Sequence, residues 1–435
     1  MEKPLIAIVG RPNVGKSTLF NKLSGQRKSI VNNLPGVTRD RIYADAEWCG
    51  HYFTLIDTGG MEVKSKDEMW TQIRGQAELA VEFADVIIFV VDGKQGLLSD
   101  DYEIADFLRV HAKPIVLCVN KIDNQEDVFE FYSLGLGEPI PISAEHGKNL
   151  GDLLDEVIAH FSEIAEQEEV GGVIKIAVAG KPNAGKSSLV NKILGYDRVI
   201  VTDIPGTTRD SIDTPFSFAG QEYVIIDTAG IRRKSKVKED LEYYSVVRAI
   251  GSIRKADVVI IVIDATERIT DQDLRICALA HDAGKPSVIV INKWDKIEKD
   301  AYTINEFNKH LEHELRFMPY FQAVYASALT GQRVVKVLET VNIVFNNTLQ
   351  RITTGLLNDV MGQAILAKEP PAKGGGRLKI YYMTQAAAAP PTFILFVNDG
   401  RYMHFTYKRY LENYLRKAFD FSGTPIKIML KNKVD

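Results

Sequence analysis

Two stretches of this chain carry residue types at a spacing suited to holding a polyphosphate: GRPNVGKS over Gly10–Ser17 and GKPNAGKS over Gly180–Ser187. Each follows an apolar, β-prone run and precedes a helical pattern. In that setting G-x-x-x-x-G-K-[ST] wraps backbone N–H groups around a phosphate at the positive end of a helix. Gly10, Gly15, Gly180 and Gly185 let the two loops turn, and Lys16 and Lys186 would reach the outer phosphates. The hydroxyls of Ser17 and Ser187 suit magnesium, with Thr18 and Ser188 next in line. The carboxylates for that ion would come from Asp57 and Asp227, which open D-T-x-G motifs ending at Gly60 and Gly230. Between loop and D-T-x-G lie PGVTRD (Pro35–Asp40) and PGTTRD (Pro205–Asp210), read as switch segments. Their Thr38 and Thr208 would complete the magnesium shell only with a γ-phosphate present.

The base is chosen by NKID at Asn120 and NKWD at Asn292. A fixed carboxylate, Asp123 or Asp295, can accept hydrogen bonds from N1–H and the 2-amino group of guanine, and adenine has neither. A buried acceptor needing those donors rejects the analogue by roughly 10⁴ or more. Asn120 and Asn292 would brace the loops, and Lys121 and Lys293 would lie over the base. The pairs Ser143/Ala144 and Ser327/Ala328 would add backbone donors.

An offset of 170 residues carries the first loop, PGVTRD and DTGG onto their second copies, after which insertions lengthen the second copy. A period this long means duplicated domains, since solenoid repeats are far shorter. The strand-like runs LIAIV, YFTLID, VIIFVVD and PIVLCVN recur as KIAVA, YVIID, VVIIVID and SVIVIN, with helical stretches between them. Continuous apolar strands alternating with helices predict an α/β fold, a mostly parallel sheet with helices on both faces, and the polar motifs follow the strand C-termini where such sheets bind ligands. The reading divides the chain into a first nucleotide-binding domain over 1–162, an acidic linker over 163–172, a second such domain over 173–350 and a tail over 351–435. The tail has a different order, α-β-β-α-β, with helices on one face of a small sheet. Tyr381, Tyr382, Phe393 and Phe396 alternate with aliphatics there and read as core.

At 435 residues, 45% hydrophobic and 25% charged, the chain is long enough for two or three domains, and its apolar runs are too short to cross a bilayer. The start MEKPLIAIVG reads as a strand and not as a signal peptide. Three cysteines without a close pair favour reducing cytosol. The net charge of −4 hides an asymmetry. From Arg351 onward, 8 Lys and 5 Arg face 6 acidic residues, a net of +7, leaving −11 on the rest. A basic tail on acidic domains suggests a polyanionic partner. RRKSKVK (Arg232–Lys238) reads as part of a solvated switch loop, and His310 and His313 lack an evident third metal ligand.

With RLKIYY, PPTF, FVND, MHFTYKRYLEN and GTPIKI in the tail added to the doubled motifs, the chain resembles, over its whole length, the bacterial double-domain GTPases called Der or EngA. The resemblance implies two tandem Ras-like P-loop GTPase domains and a C-terminal α+β KH-like domain. It implies a GTP-hydrolysing, magnesium-dependent switch in which Lys16, Thr38, Lys186 and Thr208 are catalytic. It also implies a cytoplasmic, ribosome-associated monomer that binds the large ribosomal subunit and its RNA during late maturation, with no DNA or membrane partner. Met61 and Ile231 follow D-T-x-G where Ras-like switches place a water-orienting Gln. Asn13 and Asn183 stand where similar, potassium-activated GTPases hold that ion, so potassium is expected as a second cofactor. Two departures from the family are visible: the run Ala386–Ala389 in the first tail loop, and the absence of the G-x-x-G that clamps nucleotides in ordinary KH domains. A GTPase of the tRNA-modifying type and a non-hydrolysing, GTP-dependent scaffold remain as alternatives.

Overall fold

In the computed structural model the described residues are 3–24, 43–57, 75, 77–78, 80–111, 113–122, 128–161, 172–196, 199–201, 213–226, 241–300, 302–373 and 376–432. The chain divides into two compact units, Met1–Val170 with Ser235–Gly251, and Gly171–Lys234 with Ser252–Asp435.

The first unit carries β1 (Leu5–Val9), α1 (Lys16–Ser24), β2 (Tyr43–Trp48), β3 (His51–Asp57), β4 (Val86–Asp92), α2 (Ser99–Arg109), β5 (Ile115–Asn120), β6 (Ile140–Pro141) and α3 (Leu150–Ala159). The strand order is β2-β3-β1-β4-β5-β6, parallel except for the edge pair β2/β3. β1 and β4 are buried at every residue because both faces of the sheet are covered. Ile6, Ile8 and Ile88 pack on one side with Leu19 and Leu153. Ala7, Ile87 and Phe89 pack on the other with Ile104 and Leu108. Burial on two faces is why these runs show no polar alternation.

The second unit repeats the plan with β7 (Val173–Ala179), α4 (Lys186–Leu194), β8 (Val199–Val201), β9 (Thr214–Phe218), β10 (Gln221–Ile225), β11 (Val258–Asp264), α5 (Asp271–Asp282), β12 (Ser287–Asn292), α6 (Thr303–Glu314), β13 (Gln322–Tyr325) and α7 (Val334–Thr348). Its sheet runs β13-β12-β11-β7-β10-β9-β8, with an antiparallel β10-β9-β8 edge. Every expected strand of both copies is present. The sequence reading missed the edge strands β2, β6, β8 and β13 and the next-to-edge strand β9, which are short or half polar.

The tail follows the expected order: α8 (Thr354–Ala367), β16 (Ile380–Ala387), β17 (Thr392–Val397), α9 (Phe405–Ala418) and β18 (Lys427–Asn432), with a small hairpin of β14 (Ala372–Lys373) and β15 (Gly376–Arg377) added after α8. Central β17 is antiparallel to β16 and parallel to β18. Leu357 and Met361 of α8 and Tyr407 and Leu411 of α9 cover one face, against Met383, Phe393 and Leu395. Three of the four aromatics read as core are not; only Phe393 is. A register shift between Ile380 and Tyr382 leaves Tyr381 and Tyr382 42% and 43% exposed, and Phe396 stacks on Tyr382 at 4.2 Å instead of entering the core.

The tail is sewn to the second nucleotide-binding fold within the same unit. Ser287 N–H donates to Gly423 O at 2.8 Å, and Gly423 N–H donates to Tyr320 O at 2.7 Å. The hydroxyls of Thr348 and Thr424 meet at 3.0 Å, and the Arg416 guanidinium lies 4.5 Å from the centre of the Tyr320 ring. At Gly423 the backbone has φ +74°, and a Cβ would stand 2.3 Å from Val344 Cγ2. His281 Nδ1 and the Tyr320 hydroxyl are 2.7 Å apart. Burial, together with Arg416 and Lys427, holds the His281 pKa below its ordinary 6.5, against an opposing pull from Glu412.

Two outcomes follow from this seam. Gly423→Val forces both backbone strain and a clash, and should cost roughly 2–4 kcal/mol in chemical denaturation of the full chain. A group whose folded pKa is depressed in this direction stabilises the neutral form. The stability it contributes is therefore complete above about pH 6.5 and lost as pH falls through the lower folded value. Thermal melts from pH 7.5 to 5 should show a steeper acid loss for the parent than for His281→Asn, and parallel curves would refute the role of His281.

Candidate functional site

Each phosphate-binding pattern forms a tight loop at the C-terminal end of the central strand of its sheet. Its shape is dictated from behind. A Cβ at Gly15, where φ is +98°, would stand 2.3 Å from Asn120 Nδ2, and one at Gly185, φ +97°, would stand 2.1 Å from Asn292 Nδ2. Gly10 and Gly180 press against the carbonyls of Val90 and Val262 in the same way. Asn13 and Asn183, at φ +66° and +64°, hold left-handed positions that Asn tolerates better than most residues, and their side chains face solvent.

Lys16 is buried, and its Nζ donates to Gly10 O at 2.6 Å and Arg11 O at 2.8 Å. Lys186 does the same to Gly180 O at 2.7 Å and Lys181 O at 2.9 Å. Burial pushes both ammonium groups down to about 8, offset at Lys16 by the nearby charge of Asp57 and at Lys186 by that of Asp273. Such a poorly solvated ammonium gains strongly from an anion placed in the loop. Ser17, Thr18 and Ser188 are exposed in the first turns of α1 and α4, Ser187 is half-buried, and Asp57 is buried at the end of β3. Ser17 and Asp57 are hard oxygen donors, the ligand type that magnesium takes.

The base-side motifs are tied to the same loops. Asn120 Nδ2 donates to Val14 O at 2.8 Å, while its Oδ1 accepts from Ala144 N–H at 2.9 Å. Asn292 repeats this with Ala184 O at 2.8 Å and Ala328 N–H at 3.0 Å. One side chain thus joins phosphate loop, N-K-x-D strand and S-A loop in each copy. Lys121 and Lys293 adopt left-handed backbone, φ +71° and +59°. Lys121 Nζ donates to Asn13 O and pairs with Asp92, both at 2.6 Å, and Lys293 pairs with Asp264. Trp294 is buried against Tyr325 and Phe307, which seats the second loop. Asp295 is held below the usual carboxylate range first by the Ser327 hydroxyl, and its Oδ1 is buried without a hydrogen-bond partner among the described residues. An unpartnered acceptor of this kind is costly unless a ligand supplies the donor.

The structure therefore brings together Gly10, Asn13, Gly15, Lys16, Ser17, Thr18, Asp57, Asn120, Lys121, Ser143 and Ala144 in the first copy. In the second it assembles Gly180, Asn183, Gly185, Lys186, Ser187, Ser188, Asn292, Lys293, Asp295, Ser327 and Ala328. Thr38, Gly60, Asp123, Thr208, Asp227 and Gly230 lie outside the described residues. Sequence reading missed Asp92 and Asp264, although the parallel endings VVD and VID marked them, and gave no role to the cationic second residue of each loop, Arg11 or Lys181.

The asparagine bridges make a direct prediction. Asn120→Asp keeps an acceptor for Ala144 N–H but sets a carboxylate against the carbonyl of Val14. It should cost roughly 2–4 kcal/mol of stability and abolish nucleotide binding at that copy alone, read by thermal melting and by nucleotide stoichiometry.

Comparison with known proteins agrees with this arrangement. The family described as "50S ribosome-binding GTPase" matches residues 5–121 and 175–293, and the one described as "KH-domain-like of EngA bacterial GTPase enzymes, C-terminal" matches 351–431. Among curated relatives named "GTPase Der", that of Alkaliphilus oremlandii is 56% identical over 100% of this chain and 99% of its own length. That of Clostridium perfringens is 56% identical over 98% of each chain, and one from Clostridium botulinum is 57% identical over 98% of each. Identity this high across two nucleotide-binding folds and a KH-like tail leaves one assignment: the chain belongs to the Der (EngA) family and is a GTPase with two tandem G domains.

Proposed function

We propose that both G domains bind guanine nucleotide and hydrolyse GTP, and that their nucleotide states switch the affinity of the chain for the large ribosomal subunit during its late maturation. The observation that carries the nucleotide reading is the buried, unpartnered Asp295 Oδ1 on a loop that Asn292 ties to the loop of a desolvated lysine. Guanine supplies the donors for the first, and a polyphosphate supplies the anion for the second.

On binding, Lys16 and Lys186 exchange the carbonyls of their own loops for oxygens of the β- and γ-phosphates. Backbone N–H groups of each loop and the first turn of α1 or α4 take up the remaining charge. Asp123 and Asp295 read the base, Lys121 and Lys293 cover it, and the N–H groups of Ala144 and Ala328, already oriented by Asn120 and Asn292, close its edge. Ser17, Asp57 and Thr38, with Ser187, Asp227 and Thr208 in the second copy, would hold magnesium, which neutralises charge on the phosphates when bound. Water attacks the γ-phosphorus, the bond to the β–γ bridging oxygen breaks, and GDP and phosphate remain. Asn13 and Asn183, both exposed in their loops, carry amide oxygens of the kind potassium takes, and the ion would supply further positive charge to the phosphates.

The ribosomal reading is supported by the description of the matching G-domain family as ribosome-binding and by the +7 charge of the tail. Its action is cytoplasmic and as a monomer. Among the described residues, no helix is long and apolar enough to cross a membrane.

Lys16→Ala and Lys186→Ala, assayed separately, should each lower hydrolysis, and the parent loaded with a non-hydrolysable GTP analogue should co-sediment with large subunits better than the GDP form. Equal sedimentation in both states removes the switch. At equal ionic strength, turnover in potassium should exceed that in sodium by about tenfold or more, a difference that Asn13→Ala and Asn183→Ala reduce. Equal rates in the two salts for the parent remove the potassium site.

A further inference from the structure

Behind each nucleotide pocket runs a strap of the same length, from an aspartate at the end of a central strand to an aspartate in the first turn of the next helix: Asp92 to Asp101 and Asp264 to Asp273. All four carboxylates are buried. In the first copy Asp92 Oδ1 accepts from the N–H groups of Lys94 at 2.9 Å and Gln95 at 3.1 Å, leaving Oδ2 for Lys121. At the far end, Arg11 of the phosphate loop donates from Nη1 to Gln95 Oε1 at 2.7 Å. Its Nε sits 3.2 Å and 3.0 Å from the two oxygens of Asp101. Asp101 also accepts from Leu98 N–H at 3.0 Å, which fixes the start of α2.

The second copy rebuilds this circuit with different side chains. Asp264 accepts from Thr266 N–H at 3.0 Å and its hydroxyl at 2.7 Å, and pairs with Lys293. Lys181 pairs with Glu267 at 2.6 Å and Asp273 at 3.5 Å, and Asp273 accepts from Thr270 N–H at 3.0 Å and from the Thr270 hydroxyl at 2.7 Å. Only the anchor chemistry changed: an arginine shared between a buried carboxylate and the Gln95 amide became a lysine shared between two carboxylates, one of which, Glu267, is 58% exposed.

We propose that these straps are positioning elements that couple the two ends of each GTP pocket, Asp92 and Asp264 setting the base-side lysine while Arg11 and Lys181 pin the phosphate loop to the helix after the strap. The proposal rests on the nucleotide assignment of Lys16 and Lys121 and their second-copy equivalents, and adds residues that touch no nucleotide. A neutral partner at either end frees the lysine or the loop to move, so bound nucleotide leaves faster. The exposed Glu267 makes the second strap sensitive to salt, whereas in the first the ion pair of Arg11 with Asp101 is itself buried and is not.

The test is release of a fluorescent guanine diphosphate from the full chain, with the first site isolated by Lys186→Ala and the second by Lys16→Ala. Asp92→Asn, which keeps its bonds to Lys94 and Gln95, should speed release from the first site about tenfold, and Arg11→Gln with Asp101→Asn should do the same without leaving a lone buried charge. Arg11→Lys should restore slow release in low salt and make it sensitive to choline chloride, as the second site already is, and Lys181→Arg should remove that sensitivity from the second site. Release rates that match the parent in both Asp92→Asn and the neutral pair overturn the proposal, as does loss of melting temperature without faster release. Nucleotide still bound at the first site of a Lys16→Ala chain would overturn the nucleotide assignment instead.

Discussion

A loop whose backbone N–H groups are kept for a phosphate must take its shape from contacts behind it. Here the holding is done by one buried asparagine per copy. Asn120 and Asn292 spend both ends of the amide, donating to the loop and accepting from the S-A segment, so three chain segments meet on one planar group. Glycine at 15 and 185 is the consequence, since any Cβ would displace that amide. Phosphate geometry and base geometry are thereby set by the same atom pair, and an error at one end is felt at the other.

Much of this was legible in the sequence, for physical reasons that differ by element. The doubly covered strands β1, β4, β7 and β11 announce themselves as unbroken apolar runs, and the loops by glycine and lysine at fixed spacing. The marginal strands β2, β8 and β9 were not legible: YADAEW and TPFSF are half polar, and VIV is too short to carry a pattern. In the tail, the two adjacent tyrosines defeated the alternation rule because a register shift at Ile380 breaks the pleat. Ion pairs were the hardest to see. Arg11 and Asp101 lie 90 residues apart, and no spacing rule connects them until the fold does.

The two copies also show which features geometry demands and which it merely permits. The bridging asparagine, the positive-φ loop residues and the aspartate ending the central strand recur unchanged, because each satisfies a backbone group at a fixed place. The cation at the second loop position varies between Arg11 and Lys181, because any long cation that reaches the strap will do, at the cost of different hydration. Ile122 and Trp294 vary more freely still. In the second copy the indole is seated by Tyr325 and Phe307, with Tyr325 anchored to Asn308 at 2.6 Å, so that loop rests on α6 through an aromatic cluster.

That second copy is also the one to which the tail is joined, and the joining elements are those that shape its pocket. Helix α5 starts at the strap, where Asp273 meets Lys181, and ends at the seam, where His281 meets Tyr320 beneath Arg416. Strand β12 starts at Ser287, whose N–H donates to Gly423 of the tail, and ends at Asn292, which orders the pocket. A helix and a strand thus span the distance between tail and nucleotide site in opposite chain directions, each pinned by polar contacts at both ends. Packed elements of that kind move as bodies and not as independent residues. Any shift of the phosphate loop large enough to disturb Lys181 or Asn292 therefore acts on segments whose other ends are fixed to the basic tail, which gives a GTPase of this design a short mechanical path from its second site to that tail.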